Sequence, residues 1–324
     1  MKHREDSEFD GLLWHYTDTP GLIGIVSNHR LWAGSAAFMN DTNEMITHEL
    51  ALRNAYQRIR DEFDSETQVL LDNYYAPEAE MRKVHDRFLI SAWENGDLLT
   101  LWLNYGGNGG AFAVGLTPDV CLKPVLQHPE EMSHPAPLFG YYEDAEDVVD
   151  GEPIRLYDPD LPRSLGGEWK RVKYVTREGS ELHEQQIREQ GNYLLDKQQH
   201  PEKYRRMIQL ADVFPDAPPS LEKDEAFQDE REVRIIVTAD PDWKFVKYRN
   251  GDFGLTPYVE LGTKTETTDF DSEASPGTER LPIAKIMIGP SRHDAQRQRA
   301  SLRALLDAHG YGEVEIDLSA IPYR

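Results

Sequence analysis

The sequence predicts an α+β fold: a single domain with mixed or antiparallel sheets and flanking helices. Two observations carry this. Short β-favouring runs are numerous along the 324 residues. The helical stretches between them come intermittently, not in the regular strand–helix alternation of a doubly wound parallel sheet. No internal repeat is present. The expected organisation is one domain over 1–324, with long polar insertions at about 123–167 and 262–280.

The first strand is 12–17, apolar and free of Gly and Pro. Residues two apart on a strand share a face. His15 and Thr17 therefore point one way, Trp14 and Tyr16 the other. Asp18 or Thr19 caps a short helix, with Pro20 in its first turn and Leu22, Ile23, Ile25 and Val26 on its apolar face. A second short strand holds Leu31, Trp32 and Ala33. Asn40 or Asp41 then caps a long helix over about 43–63, with Glu44 at capping-box spacing from Asp41. A further helix is expected over 78–85. Residues 87–93 form a strand, and 98–105 a helix with Leu98, Leu101, Trp102 and Tyr105 on one face. Gly106 to Gly110 form a flexible loop that needs positive φ. Strands follow at 111–116 and 170–176. A polar helical region covers 178–210 and is broken at Pro201. The last strongly marked strand region is 227–237, in which Glu230, Glu232 and Arg234 alternate onto one face. Strands at 243–248, 283–288 and 314–318 and a helix at 294–309 complete the chain. The acidic stretch 262–280 is expected to be disordered.

Composition narrows the classes of function. The apolar fraction is 39%, the charged fraction 29% and the formal net charge −23. Such a chain repels polyanions at long range, so nucleic-acid binding would need a local basic patch. The two short basic runs, at Lys170 to Lys173 and Lys203 to Arg206, read more readily as solvated faces. No apolar run approaches the roughly 20 residues that span a bilayer, and no apolar segment follows Met1-Lys2-His3-Arg4 as a secretory signal requires. With a single cysteine, Cys121, no internal disulfide can form. A cytoplasmic protein with no membrane partner is expected.

Three groups of residues stand apart as chemistry: the strand with His15 and Thr17; Ser91 with the helix that ends in Tyr105; and Glu230-x-Glu232-x-Arg234. Alternate carboxylates beside an arginine are costly to bury unless paired, so they form either a solvated strand face or the wall of a site. Asp41, Glu44 and His48 fall on one helical face. Helix capping accounts for Asn40, Asp41 and Glu44; a metal site that adds His48 is a second reading. Neither Gly-x-Gly-x-x-Gly after a strand, nor a P-loop, nor Gly-x-Ser-x-Gly is present.

Taken in order, His15-Tyr16-Thr17, Phe38-Met39-Asn40-Asp41-x-x-Glu44, Leu101-Trp102-x-x-Tyr105 and Glu230-x-Glu232-x-Arg234 resemble a widespread bacterial domain family without an assigned function, whose pattern is roughly HYT, FNDxxE, WxxY and ExExR. Met39 is an extra residue relative to the tight FND form. Stretches around Thr256 and Gly289 are similar to the same family. The layout is also similar, more distantly, to ADP-ribosyltransferases. That likeness implies an ADP-ribosyltransferase-like fold with NAD as substrate. It places His15 and Thr17 at the adenosine-side ribose, with Tyr16 also among the NAD-binding residues, Ser91 and Tyr105 around nicotinamide, and Glu232 as the catalytic carboxylate, with Glu230 its rival. Asn40 and Asp41 would close over the ligand or contact its ribose, Arg234 would be a further NAD-binding residue beside the carboxylates, and Arg249 and Arg30 are the candidates for the pyrophosphate. The acceptor would be a nucleic acid or a protein, the role that of a toxin or phage-defence effector, and an antitoxin or other regulatory partner would follow. The alternatives are a non-catalytic nucleotide- or partner-binding module and a metal-dependent nuclease using Asp41, Glu44 and His48 with the two glutamates.

Overall fold

One strand, β3 (Arg87–Trp93), ties the architecture together. Its run Arg-Phe-Leu-Ile-Ser-Ala-Trp has no Gly or Pro and is buried along nearly its whole length, as a central strand covered on both faces must be. The computed structural model describes residues 9–38, 42–75, 87–106, 110–125, 139–141, 148–149, 152–153, 155–157, 168–176, 178–200, 222–238, 246–251, 254–263, 279–292 and 294–322.

In chain order the strands are β1 (Leu13–Asp18), β2 (Leu31–Ser35), β3, β4 (Ala111–Leu116), β5 (Leu122–Pro124), four short strands β6 (Phe139–Tyr141), β7 (Val148–Val149), β8 (Glu152–Pro153) and β9 (Arg155–Tyr157), then β10 (Lys170–Arg171), β11 (Lys173–Val175), β12 (Glu222–Asp224), β13 (Glu232–Thr238), β14 (Lys247–Gly251), β15 (Gly254–Thr263), β16 (Ile283–Ile288) and β17 (Glu315–Leu318). Among the described residues the α-helices are α1 (Thr19–Asn28), α2 (Thr42–Ile59), α3 (Ser65–Tyr74), α4 (Leu99–Tyr105), α5 (Glu181–Gln199) and α6 (Ala295–Ala308). The fold is therefore mixed α+β, and its main sheet combines antiparallel pairs with a parallel pair, β16 and β17.

β13 lies antiparallel along one edge of β3, from Glu232↔Trp93 to Thr238↔Arg87. The opposite edge is shared. β2 takes its first part, at Ser35↔Phe88 and Gly34↔Leu89. β1 takes its far end, at Trp14↔Trp93. The sheet thus forks at Ile90 to Ala92. One arm runs from β2 through β15 to β14 and β5; the other runs from β1 through β4 to β16 and β17.

The largest core joins the strands to α1 and α6, with Leu22, Val26, Val114, Ile235, Ile286 and Leu306 among its fully buried members. A smaller aromatic core lies under α4: Tyr16, Trp93, Leu101, Trp102 and Ala113. A third joins α2, α3 and α5 through Ala55, Tyr56, Ile59, Leu71 and Ile187.

Several boundaries differ from the sequence reading. The strand expected over 227–237 begins at Glu232, because residues 225–230 wind into a 3-10 turn. Asp224 caps that turn by accepting from the Ala226 amide at 3.1 Å, and Arg231 ends it in the left-handed region at φ 49°. The segment 170–176 is two short strands, and the long second helix gives way to a 3-10 turn after Ile59. Helix α3 was not expected; Asp64 caps it by accepting from the Glu66 and Thr67 amides. Gly110 has the positive φ foreseen for the glycine loop, at 128°. Expectations for 78–85, 201–210 and most of 262–280 fall outside the described residues.

Candidate functional site

The fork in the sheet opens into a cavity of about 480 Å³, within the usual range for small-molecule sites. Its wall comes from every strand around the fork: His15 and Tyr16 of β1, Gly34 of β2, Ser91 and Trp93 of β3, Glu232 and Arg234 of β13, Arg249 of β14 and Thr256 of β15. Helix α4 contributes Tyr105, and the 3-10 turn contributes Phe227 and Glu230. Residues from 15 to 256 thus meet at one place. Of the residues singled out in the sequence, His15, Tyr16, Ser91, Tyr105, Glu230, Glu232, Arg234 and Arg249 all line this cavity.

Its most charged wall is a cluster of four side chains. Glu232 is 2% exposed. Its Oε1 accepts from Arg234 Nε at 2.6 Å and its Oε2 from Lys223 Nζ at 3.0 Å. The same Lys223 ammonium donates to Glu230 Oε2 at 2.9 Å. The strand alternation of β13 puts Glu232 and Arg234 on one face, and the left-handed Arg231 brings Glu230 back toward them although Glu230 is not on the strand. Burial alone would push the Glu232 carboxyl up; the charges of Arg234 and Lys223 and the Arg234 hydrogen bond outweigh it and hold the group well below the usual carboxylate range. Glu232 is therefore a buried, ionised carboxylate. Each of its oxygens has a second acceptor site beyond the bonds to Arg234 and Lys223. The Tyr174 hydroxyl accepts from the Glu232 amide at 2.8 Å and fixes the backbone there.

Across the fork, His15 Nδ1 meets the Ser91 carbonyl at 2.9 Å. A carbonyl can only accept, so Nδ1 carries the proton and Nε2 is the acceptor. Burial lowers the His15 pKa and outweighs the opposing Ser91 carbonyl; Arg249 adds to the lowering. The ring is thus neutral near pH 7. Arg249 lies over Gly34, where a Cβ would stand 3.7 Å from its guanidinium.

Three buried polar atoms of the lining have no hydrogen-bond partner: Ser91 Oγ, Trp93 Nε1 and Thr256 Oγ1. Ser91 Oγ lies close enough to Glu232 to favour its charge, without the geometry of a hydrogen bond to it. Buried polar groups are seldom left unsatisfied. Their concentration around one cavity marks it as a place for a polar ligand.

Other expectations are placed differently. Thr17 is not part of the lining; its hydroxyl packs where a Cβ on Gly21 of α1 would fall. Tyr16 lines the cavity, but its hydroxyl is already engaged: it donates to the Asn95 carbonyl and accepts from the Leu98 amide, each at 3.0 Å. Its ring also meets Trp93 and Trp102 edge-on. Arg30 is not in the lining and donates to the His29 carbonyl at 2.8 Å. Asn40 and Asp41 lie outside the described residues, as do the side chains of Glu44 and His48. Among the described residues no group of three or more His, Cys, Asp or Glu is placed to hold a metal ion, and no helix is long and apolar enough to cross a membrane. Sequence reasoning missed Lys223, Trp32, Phe227 and Thr256. Lys223 sits in the charged run Glu222-Lys223-Asp224, which carries no strand pattern, so nothing in the sequence separates it from a surface lysine.

Comparison of the chain with family models, with curated proteins and with solved structures finds no match in any of the three.

Proposed function

We propose that this chain is an NAD-dependent ADP-ribosyltransferase whose acceptor is a macromolecule. One observation carries the reading: a single cavity gathers His15, Ser91, Tyr105 and Glu232, which the sequence resemblance had assigned to one NAD site, around a buried ionised carboxylate. In the reaction the bond between nicotinamide and ribose C1′ breaks and nicotinamide leaves with the bonding electrons. An acceptor oxygen or nitrogen then bonds to C1′ and its proton passes to solvent. Positive charge develops on the ribose as the bond breaks, and the fixed Glu232 carboxylate stabilises it. Tyr105, tilted against Trp93 at a centroid distance of 5.1 Å, offers an aromatic face for the flat nicotinamide. His15 Nε2 accepts from a ribose hydroxyl, and Arg249 meets the pyrophosphate. The unpartnered Ser91 and Thr256 hydroxyls and the Trp93 indole nitrogen suit a ligand rich in oxygen.

The test is nicotinamide release on incubation with NAD, beside a Glu232→Gln control whose fold is checked by its circular dichroism. Release that falls by about a hundredfold or more in the variant, on the scale of losing an electrostatic stabiliser of the transition state, supports the proposal. If NAD produces neither nicotinamide release nor a rise in melting temperature, the NAD reading fails and a non-catalytic binding module takes its place. The nuclease reading predicts instead that cleavage of a nucleic acid is lost on chelation.

A further inference from the structure

We infer that Lys223 is a positioning residue of the cavity: it holds the Glu232 carboxylate in place and draws the wall formed by residues 225–230 against it.

Lys223 lies on β12, which pairs in parallel with β11 at Tyr174↔Lys223. Its neighbour Glu222 points the other way, into the helical layer, where its Oε2 accepts from His183 Nε2 at 3.1 Å. Alternation along this three-residue strand therefore sends one charged side chain to α5 and the next to the cavity. Lys223 is 6% exposed. Besides its bonds to Glu230 and Glu232, its ammonium stands 4.8 Å from the centroid of the Phe227 ring. Glu230 and Phe227 both belong to the 3-10 turn that walls the cavity. One cation thus binds the carboxylate on β13 to two residues of that wall, Phe227 and Glu230.

The charge count explains why a lysine is needed. Two carboxylates, Glu230 and Glu232, stand with two cations, Arg234 and Lys223; among the described residues the Tyr174 hydroxyl and Ser91 also face Glu232 from the packed elements. Without Lys223 two carboxylates stand beside one arginine, whose Nε donates to Oε1 of Glu232. Oε2 then loses the ammonium that donates to it, and the carboxylate is held less firmly. Like charges in one buried site favour protonation of one of them.

The experiment follows the carboxyl ionisation of the glutamates by 13C NMR in the intact chain, with Glu232→Gln identifying the resonance, in wild type and Lys223→Met. In wild type Glu232 stays ionised down to acid unfolding. In Lys223→Met it titrates within the folded range, at least one pH unit higher, and Lys223→Arg restores the wild-type behaviour. Because Lys223→Met leaves the cluster with net negative charge and could fail to fold, Glu230→Gln is compared with and without Lys223→Met. That pair differs by the ammonium alone and leaves a cluster of net charge +1 or 0. A Glu232 titration that does not move in either comparison overturns the inference. A second arm rests on the NAD reading: the acidic limb of the pH profile of nicotinamide release moves upward in Lys223→Met, with KM for NAD changing less than kcat. Absence of release in wild type counts against the NAD reading alone, since the titration still decides the role of Lys223.

Discussion

His15 and Glu232 face each other's neighbourhood across the fork in opposite states, one a neutral base and one an ionised acid, and both have pKa values below the ordinary ones. The consequence for stability has the same sign at both. An unfolded chain takes up a proton at His15 near its ordinary value of 6.5, whereas the folded chain does so only at lower pH. Stability from His15 is therefore present above that value and lost as pH falls below it. His29, whose pKa burial also lowers, adds to this limb. Glu232 contributes above its ordinary value of 4.5 and loses that contribution as pH falls toward its folded value. Melting temperature should fall in two stages between pH 7 and pH 3. His15→Asn, which keeps a donor for the Ser91 carbonyl, should shrink the upper stage and leave the lower one in place. A melting temperature independent of pH between 7 and 5 would contradict the assignment of neutral imidazoles with lowered pKa values. At this scale the sequence was informative where residue type alone implied burial cost, as for Glu230-x-Glu232-x-Arg234. It misplaced Thr17, because strand alternation gives a face but not what packs on it, and α1 packs there. Lys223 was invisible, because its bonds to the two glutamates reach partners seven and nine residues further on that a turn brings back.

The 3-10 turn 225–230 is the element on which the cavity wall depends, and it is held at both ends by local devices. Asp224 caps its start, and Arg231 at φ 49° reverses the chain into β13. A side chain with a Cβ is strained in the left-handed region by roughly 1–2 kcal/mol relative to glycine, and a β-branched one more so. Arg231→Val should therefore lower stability, while Arg231→Gly should be neutral or stabilising, by up to about 1–2 kcal/mol, as urea unfolding would measure. Equal midpoints for the two variants would show that the turn does not impose the conformation. The same device explains why the strand expected over 227–237 starts late: alternation of charge through Glu230 and Glu232 resembles a strand pattern, and no sequence period reports a single left-handed residue between them. Helix α4 and strands β3, β4 and β16 were legible because their apolar spacing has one sufficient reading. Helix α3 was not, since only Thr67 and Leu71 of its ten residues are buried and its marker is the single cap Asp64.

Taken whole, the chain carries a formal charge of −23, yet the charged wall of its cavity is balanced by Lys223 and Arg234. Surface self-repulsion is screened by salt, whereas a buried cluster is screened far less. Raising NaCl from about 20 to about 500 mM should increase the melting temperature, because the Debye length falls well below the spacing of surface charges, while the ionisation of Glu232 should stay unchanged; a fall in melting temperature would show that surface ion pairs outweigh the net repulsion. The sequence foretold this global character and the α+β class, but not the fork, because partners in a sheet are chosen between segments that the local pattern cannot rank. The fork itself has a consequence beyond chemistry. Along Ile90 to Ala92 the ladder of β3 lacks its rungs on one side, so the opening belongs to the strand order and not to any side chain. Replacing the residues of its wall would change what enters, but only a rearrangement of β1 and β2 would close it. The place is inherited with the topology, and its chemistry is free to vary.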